Sequence, residues 1–167
     1  MNQRHFRSTR AWGAMLALLG GSLGLTCGNL AAADAPAKPQ SAALAGWQKV
    51  VARKGGCIMY VPADWKVDSL VKGSAGLDDN SVSAVISFTD GMSTLAEVKP
   101  VMQGMFKPTK TFEDSAQRLW YQYTNAGRTG YYVGLPVKGG ICGAQISFKP
   151  GKETIADKVA ASIAAGS

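Results

Sequence analysis

Two cysteines, Cys57 and Cys142, each stand just behind a glycine pair, in Gly55-Gly56-Cys57-Ile58 and Gly139-Gly140-Ile141-Cys142. A glycine pair followed by apolar residues reads as a tight turn feeding a strand, so each thiol sits near the head of a strand. Joined, the two would clamp β segments that are far apart in the sequence, contributing about 4–5 kcal/mol through loop closure before any strain. Such a clamp restricts the fold to arrangements in which these two strands meet within bridging distance. The alternative is a pair of buried free thiols. Which of the two holds depends on the compartment, and the start of the chain bears on that.

The chain opens with Arg4, Arg7 and Arg10 and has no acidic residue before Asp34. An apolar run from Ala11 to Leu25 follows, and small residues close the segment at Ala31-Ala32-Ala33. A basic start, a short apolar stretch and an Ala-x-Ala end form the tripartite pattern of a secretory signal peptide, here residues 1–33. A membrane anchor would need about 20 apolar residues, more than the run before Thr26-Cys27-Gly28-Asn29 supplies. Cys27 follows Gly24-Leu25-Thr26, which fits a lipidation motif poorly, so it is read as part of the discarded segment. Residues 34–46, rich in Pro and Ala, read as a flexible linker, and 47–167 as one domain.

The full chain of 167 residues carries 18 Lys+Arg against 11 Asp+Glu, a formal charge of +7. Losing Arg4, Arg7 and Arg10 with the signal lowers this to +4, spread without a basic cluster, so no nucleic-acid partner is expected. The only histidine, His5, leaves with the signal. That excludes Ser-His-Asp and Cys-His nucleophile systems and any zinc site built on imidazole. Neither glycine pair has the spacing of a phosphate-binding loop. No cofactor and no metal site is read from the sequence, and no stable membrane span is expected after cleavage.

Along the domain, Trp47–Ala52 reads as a strand, or as the end of a short helix begun at Ser41; the Arg53–Gly56 turn and its partner Cys57–Val61 favour the strand. Lys66–Val71 and Ser74–Leu77 read as weaker strands, turning at Asp78-Asp79-Asn80. Val82, Ala84, Ile86 and Phe88 alternate with Ser81, Ser83, Ser87 and Thr89, the period of a half-buried antiparallel strand, with Val85 the exception. The period then shifts. Leu95, Val98, Met102 and Met105 fall at helical spacing behind a Thr94–Glu97 capping box; Pro100 conflicts with a helix starting there, so the helix either kinks at Pro100 or begins one turn later with Pro100 in its first turn. Leu119–Thr124, Tyr131–Leu135 and Ile141–Phe148 form a meander, and Ile155, Val159 and Ile163 mark a closing helix. The order predicts α+β: an antiparallel sheet of about six to eight strands with two packed helices.

The segment Cys57-Ile58-Met59-Tyr60-Val61-Pro62-Ala63-Asp64-Trp65, with its strand-Pro-x-x-Trp pattern, resembles the Mog1/PsbP-like group of small α+β sandwich domains. The likeness spans roughly 47–163, including the meander and closing helix. It implies a non-enzymatic binding scaffold and carries over no particular functional residues.

Three side-chain groups invite a functional reading. Asp78-Asp79-Asn80 offers oxygens for Ca²⁺ but lacks the spaced loop that holds the ion, and a hairpin turn explains it. Glu113-Asp114 would supply a catalytic carboxylate, or simply face water. If Leu119, Tyr121 and Tyr123 face the core, then Arg118, Trp120 and Gln122 face outward, with Tyr132 of the next strand beside Trp120. Such an aromatic platform suits a partner protein or flat ligand, unless a helix covers it. The expectation is an exported, non-catalytic binding or assembly module of the cell envelope, periplasmic or secreted, that recognises an envelope protein or small ligand. The alternatives are an extracytoplasmic hydrolase using carboxylates or Lys, and a secreted inhibitor.

Overall fold

A computed structural model describes residues 44–166. The expected signal peptide, the possible helix start at Ser41 and nearly all of the expected linker lie outside the described residues. Strands β1 (Trp47–Val51) and β2 (Cys57–Pro62) form a hairpin, followed by β3 (Lys66–Val67), β4 (Ser74–Gly76) and β5 (Val82–Asp90). Helix α1 (Leu95–Phe106) leads into β6 (Lys110–Asp114), β7 (Leu119–Asn125), β8 (Arg128–Val137) and β9 (Gly140–Phe148). Helix α2 (Glu153–Ala161) and the short β10 (Ala164–Ala165) complete the order. Seven strands make the main sheet, in the order β3-β4-β5-β9-β8-β7-β6, while β1-β2-β10 make a second sheet of three. All pairings are antiparallel, and the class is α+β.

The main sheet is covered unequally on its two faces. Val82, Ala84 and Ile86 of β5, with Tyr131, Val133, Ala144, Ile146 and Phe148, pack against the small sheet and the Ala156/Val159/Ala160 stripe of α2. The opposite face buries Leu119, Tyr121, Tyr123, Tyr132 and Ile141 under Leu95 and Val98 of α1. Alternation along each strand sends neighbouring residues into these two separate cores. The hairpin β1–β2 leaves the main sheet and lies over it, so Cys57 and Cys142 meet between two sheets and not between neighbouring strands of one. Their disulfide spans a Cα–Cα distance of 5.5 Å, with both residues fully buried.

One local reading differs from the sequence, and one alternative it left open is resolved. The Lys66–Val71 strand stops at Val67, because the Asp68 carboxylate accepts the backbone N–H groups of Leu70 (2.8 Å) and Val71 (3.0 Å) and turns the chain. The first helix does begin after Thr94, with Pro100 inside it: Glu97 accepts from the Ser93 N–H (3.2 Å) and the Thr94 hydroxyl (2.9 Å), securing the first turn. The exposed position of Pro100 forfeits one backbone bond without opening the core.

Candidate functional site

The residues expected to form one outward platform fall on two faces. Register pairs Trp120 with Val133 and Tyr121 with Tyr132. Tyr132 therefore points away from Trp120 and lies buried beneath α1, a correction that follows from the two-residue period of the strand. Trp120 is partly buried on the α2 side, packed against Phe112 (ring centroids 5.1 Å apart) and edge-on to Tyr131 (5.9 Å). Arg118 is tied down as well, donating from Nη2 to the Ala160 carbonyl at the end of α2 (2.6 Å). Burial pulls its pKa downward, with Glu113 3.8 Å away opposing this. Gln122 is half-buried on the same face. A helix end thus covers much of the expected platform, leaving Phe112, with Lys110 4.5 Å above its ring, as its most open aromatic.

The open surface lies on the other face. Helix α1 runs over β7 and β8, and residues change character where its cover ends. One cross-strand row reads Tyr121, Tyr132, Gln145, Val85, Ser74, passing from buried aromatics to exposed Gln145 and Val85 and a half-buried serine. The next reads Leu119, Gly134, Gly143, Ser87. The glycines have a reason: a Cβ on Gly143 would stand 3.3 Å from the Tyr132 hydroxyl, and one on Gly134 3.2 Å from both the Tyr132 ring and Leu95. The Tyr132 side chain thus extends across its neighbours toward the uncovered strands.

Between α1 and β5–β9 lies a pocket of about 90 Å³, walled by Met92, Val98, Val101 and Met102 and floored by Ser87, Tyr132 and Gly143. The Leu95, Val98, Met102, Met105 stripe of α1 is buried only in its first half. Leu95 and Val98 are buried, Met102 is half-buried, and Met105 is 65% exposed beside Val101 at 47%. Met92, Val98, Val101 and Met102 give the pocket an apolar wall over a floor that carries Ser87, Thr89 and Gln145 but no charge, and Val85 on the same sheet face is 42% exposed. Burial alone raises the Tyr132 pKa to about 12, so its hydroxyl stays protonated and able to donate at neutral pH. The helical spacing of Met102 and Met105 does not reveal that the sheet beside them is uncovered; the glycines inside β8 and β9 are the sequence signal that does.

The acidic candidates are engaged elsewhere. Asp79 accepts from the Ser81 N–H (2.8 Å) within its turn, and Asp78 pairs with Lys66 (2.6 Å). Glu113 accepts from the Ser115 hydroxyl (3.0 Å), and Asp114 pairs with Lys99. That last pair lines an open depression of about 560 Å³ with Ser93, Thr94, Leu95 and Ser115, where both charges remain accessible to water. Among the described residues, no three His, Cys, Asp or Glu side chains gather in a way that would hold a metal ion. No helix among them is long and apolar enough to cross a membrane. Compared with known protein families and with curated proteins, the chain matches none.

Proposed function

We propose that this chain is an exported binding or assembly module of the cell envelope, whose working surface is the uncovered half of the main sheet beside α1. The carrying observation is the pairing of an apolar helix wall, Val101 and Met105, with the exposed floor residues Val85, Ser87 and Gln145. The occupant is an amphipathic helix of an envelope protein. Strands stand about 4.8 Å apart and packed helices 8–10 Å apart, so a second helix parallel to α1 would lie over β9 and β5. Methionine suits this role because its unbranched thioether adapts to an incoming surface. The buried disulfide supports an oxidising destination, and the signal-like residues 1–33 supply the route. The resemblance of Cys57–Trp65 to Mog1/PsbP-like domains also favours a scaffold.

The test is capture from an envelope fraction by the exported protein beside its Val101→Lys/Met105→Lys variant. Recovery of one stoichiometric partner by the parent and not by the variant is expected. Equal recovery by both, or turnover of a generic ester or glycoside without any partner, would overturn the reading. Intact mass checks the export step: a start at Asp34 and a loss of about 2 Da on bridging are expected.

A further inference from the structure

The connection between β3 and β4 presents an apolar tip to solvent. Leu70 is 93% exposed, Val71 53% and Val67 43%, the most open apolar group on the described surface. The tip is held in shape. Asp68 accepts the N–H groups of Leu70 and Val71, its own N–H donates to the Ser74 carbonyl (2.9 Å), and Ser74 N–H donates to the Val71 carbonyl (3.0 Å). Gly73 locks the base: its φ of +90° suits glycine, its carbonyl accepts the Ile86 N–H (2.9 Å), and an added Cβ would stand 2.4 Å from the Ile86 carbonyl oxygen. An ordered turn that holds Leu70 and Val71 together in water, with Val67 at its base, gains free energy from any surface that receives them.

Charge around the tip indicates what receives it. Arg53 and Lys72 line one surface hollow with Ser69, Leu70 and Val71. Their neighbours Lys54 and Lys66 are neutralised by Asp90 (2.9 Å) and Asp78 (2.6 Å), whereas no ion pair among the described residues engages Arg53 or Lys72. The one acid in the loop, Asp68, spends its carboxylate on the backbone of the turn, and those bonds hold its pKa below the usual carboxylate value. We infer that this loop docks on an anionic lipid surface, Leu70 and Val71 entering the headgroup boundary while Arg53 and Lys72 meet lipid phosphates. A projecting tip of three side chains is too small for a stable protein interface, which buries more than about 1,000 Å². A bilayer needs no matching pocket, and basic residues add to apolar insertion there.

The experiment is flotation of the protein recovered from cells with phosphatidylglycerol–phosphatidylcholine vesicles and with phosphatidylcholine vesicles alone. The parent protein should float with the anionic vesicles, and added salt should weaken the association. Leu70→Ser should lower the partition coefficient about tenfold while leaving the melting temperature unchanged, because Leu70 touches little of the fold. Arg53→Gln/Lys72→Gln should lower it about 10–30-fold and flatten the salt dependence. Equal flotation with both vesicle types, or a Leu70→Ser variant that floats like the parent, overturns the inference, as does a protein partner that holds the tip when lipid is absent. The Val101→Lys/Met105→Lys variant should still float, which separates this surface from the one beside α1.

Discussion

The Tyr121 ring stacks on that of Tyr132 at 5.2 Å, and the Tyr121 hydroxyl is buried there without a hydrogen-bond partner. An orphaned hydroxyl costs about 1–3 kcal/mol of desolvation, while the ring itself fills the space under α1. Tyr121→Phe keeps the ring and removes the orphan. The void left by the oxygen offsets part of that gain, so urea unfolding should show stability unchanged or raised by up to about 1 kcal/mol. A loss above about 1 kcal/mol would mean that the hydroxyl has a partner after all.

Alkaline pH should loosen the same face. Burial raises the Tyr132 pKa from 10.0 to about 12, and Tyr121 and Tyr123 move in the same direction. The folded state thus favours the neutral phenol. This contribution is complete below pH 10 and disappears as pH climbs from 10 toward 12, amounting to about 2–3 kcal/mol for Tyr132. The urea midpoint should fall across that window, and fall less in Tyr132→Phe. Identical slopes for parent and variant would contradict the placement of Tyr132.

Much of this architecture is legible in the sequence because local chemistry and tertiary context agree. The alternation around Val82–Phe88 gives β5 its buried side, the turns at Asn125–Arg128 and Lys138–Gly140 give the meander, and the Gly-Gly/Cys pattern gives the clamp. Legibility fails where context decides. The β6 strand, Lys-Thr-Phe-Glu-Asp, carries mostly polar residues and a bulge between Thr111 and Glu113, as an edge strand does, and it pairs only because β7 presents a free edge. The two alanines of β10 pair with Ile58 and Cys57 for the same reason. The platform failed on a further point. Both faces of the main sheet are apolar around β7 and β8, so alternation assigns residues to faces without saying which helix covers each. The hairpin register closed at Asn125–Arg128, which pairs Trp120 with Val133 and Tyr121 with Tyr132, puts Trp120 and Tyr132 on opposite faces, and the docking of α1 and α2 then covers each.

The disulfide joins the two sheets from inside the core, with both cysteines inaccessible to water. Removing it as Cys57→Ala/Cys142→Ala should lower stability by up to about 4–5 kcal/mol, the loop-closure value. Because no reductant reaches the sulfurs in the folded protein, dithiothreitol should cleave the bond only as fast as the chain opens. Mass-shift alkylation in water and in urea checks this. Rapid labelling in water at full retention of structure would place the bond at the surface.

Arg118 closes α2 from the turn just ahead of β7. The last carbonyls of a helix lack partners within it, and the helix dipole favours a cation at that end. Here the cation comes from the residue just before β7, its Nη2 donating to the Ala160 carbonyl while the guanidinium carbon lies 5.4 Å from the Trp120 ring centroid. The price is that Nε is buried without a hydrogen-bond partner, since Glu113 at 3.8 Å is too distant to accept one. The bond to Ala160 outweighs this if a charged donor to a buried carbonyl contributes about 1.5–3 kcal/mol. Arg118→Met keeps the stem that covers Trp120 but removes both the bond and the orphaned Nε, so it should cost less than the full bond, about 0.5–2 kcal/mol in urea unfolding. Arg118→Ala should cost more, because the stem goes too. Glu113→Gln should change stability by less than about 1 kcal/mol, as a long and partly exposed ion contact does. If Arg118→Met were as stable as the parent, α2 would be held by its Ala156/Val159/Ala160 stripe alone, and the arginine would be a bystander at the helix end.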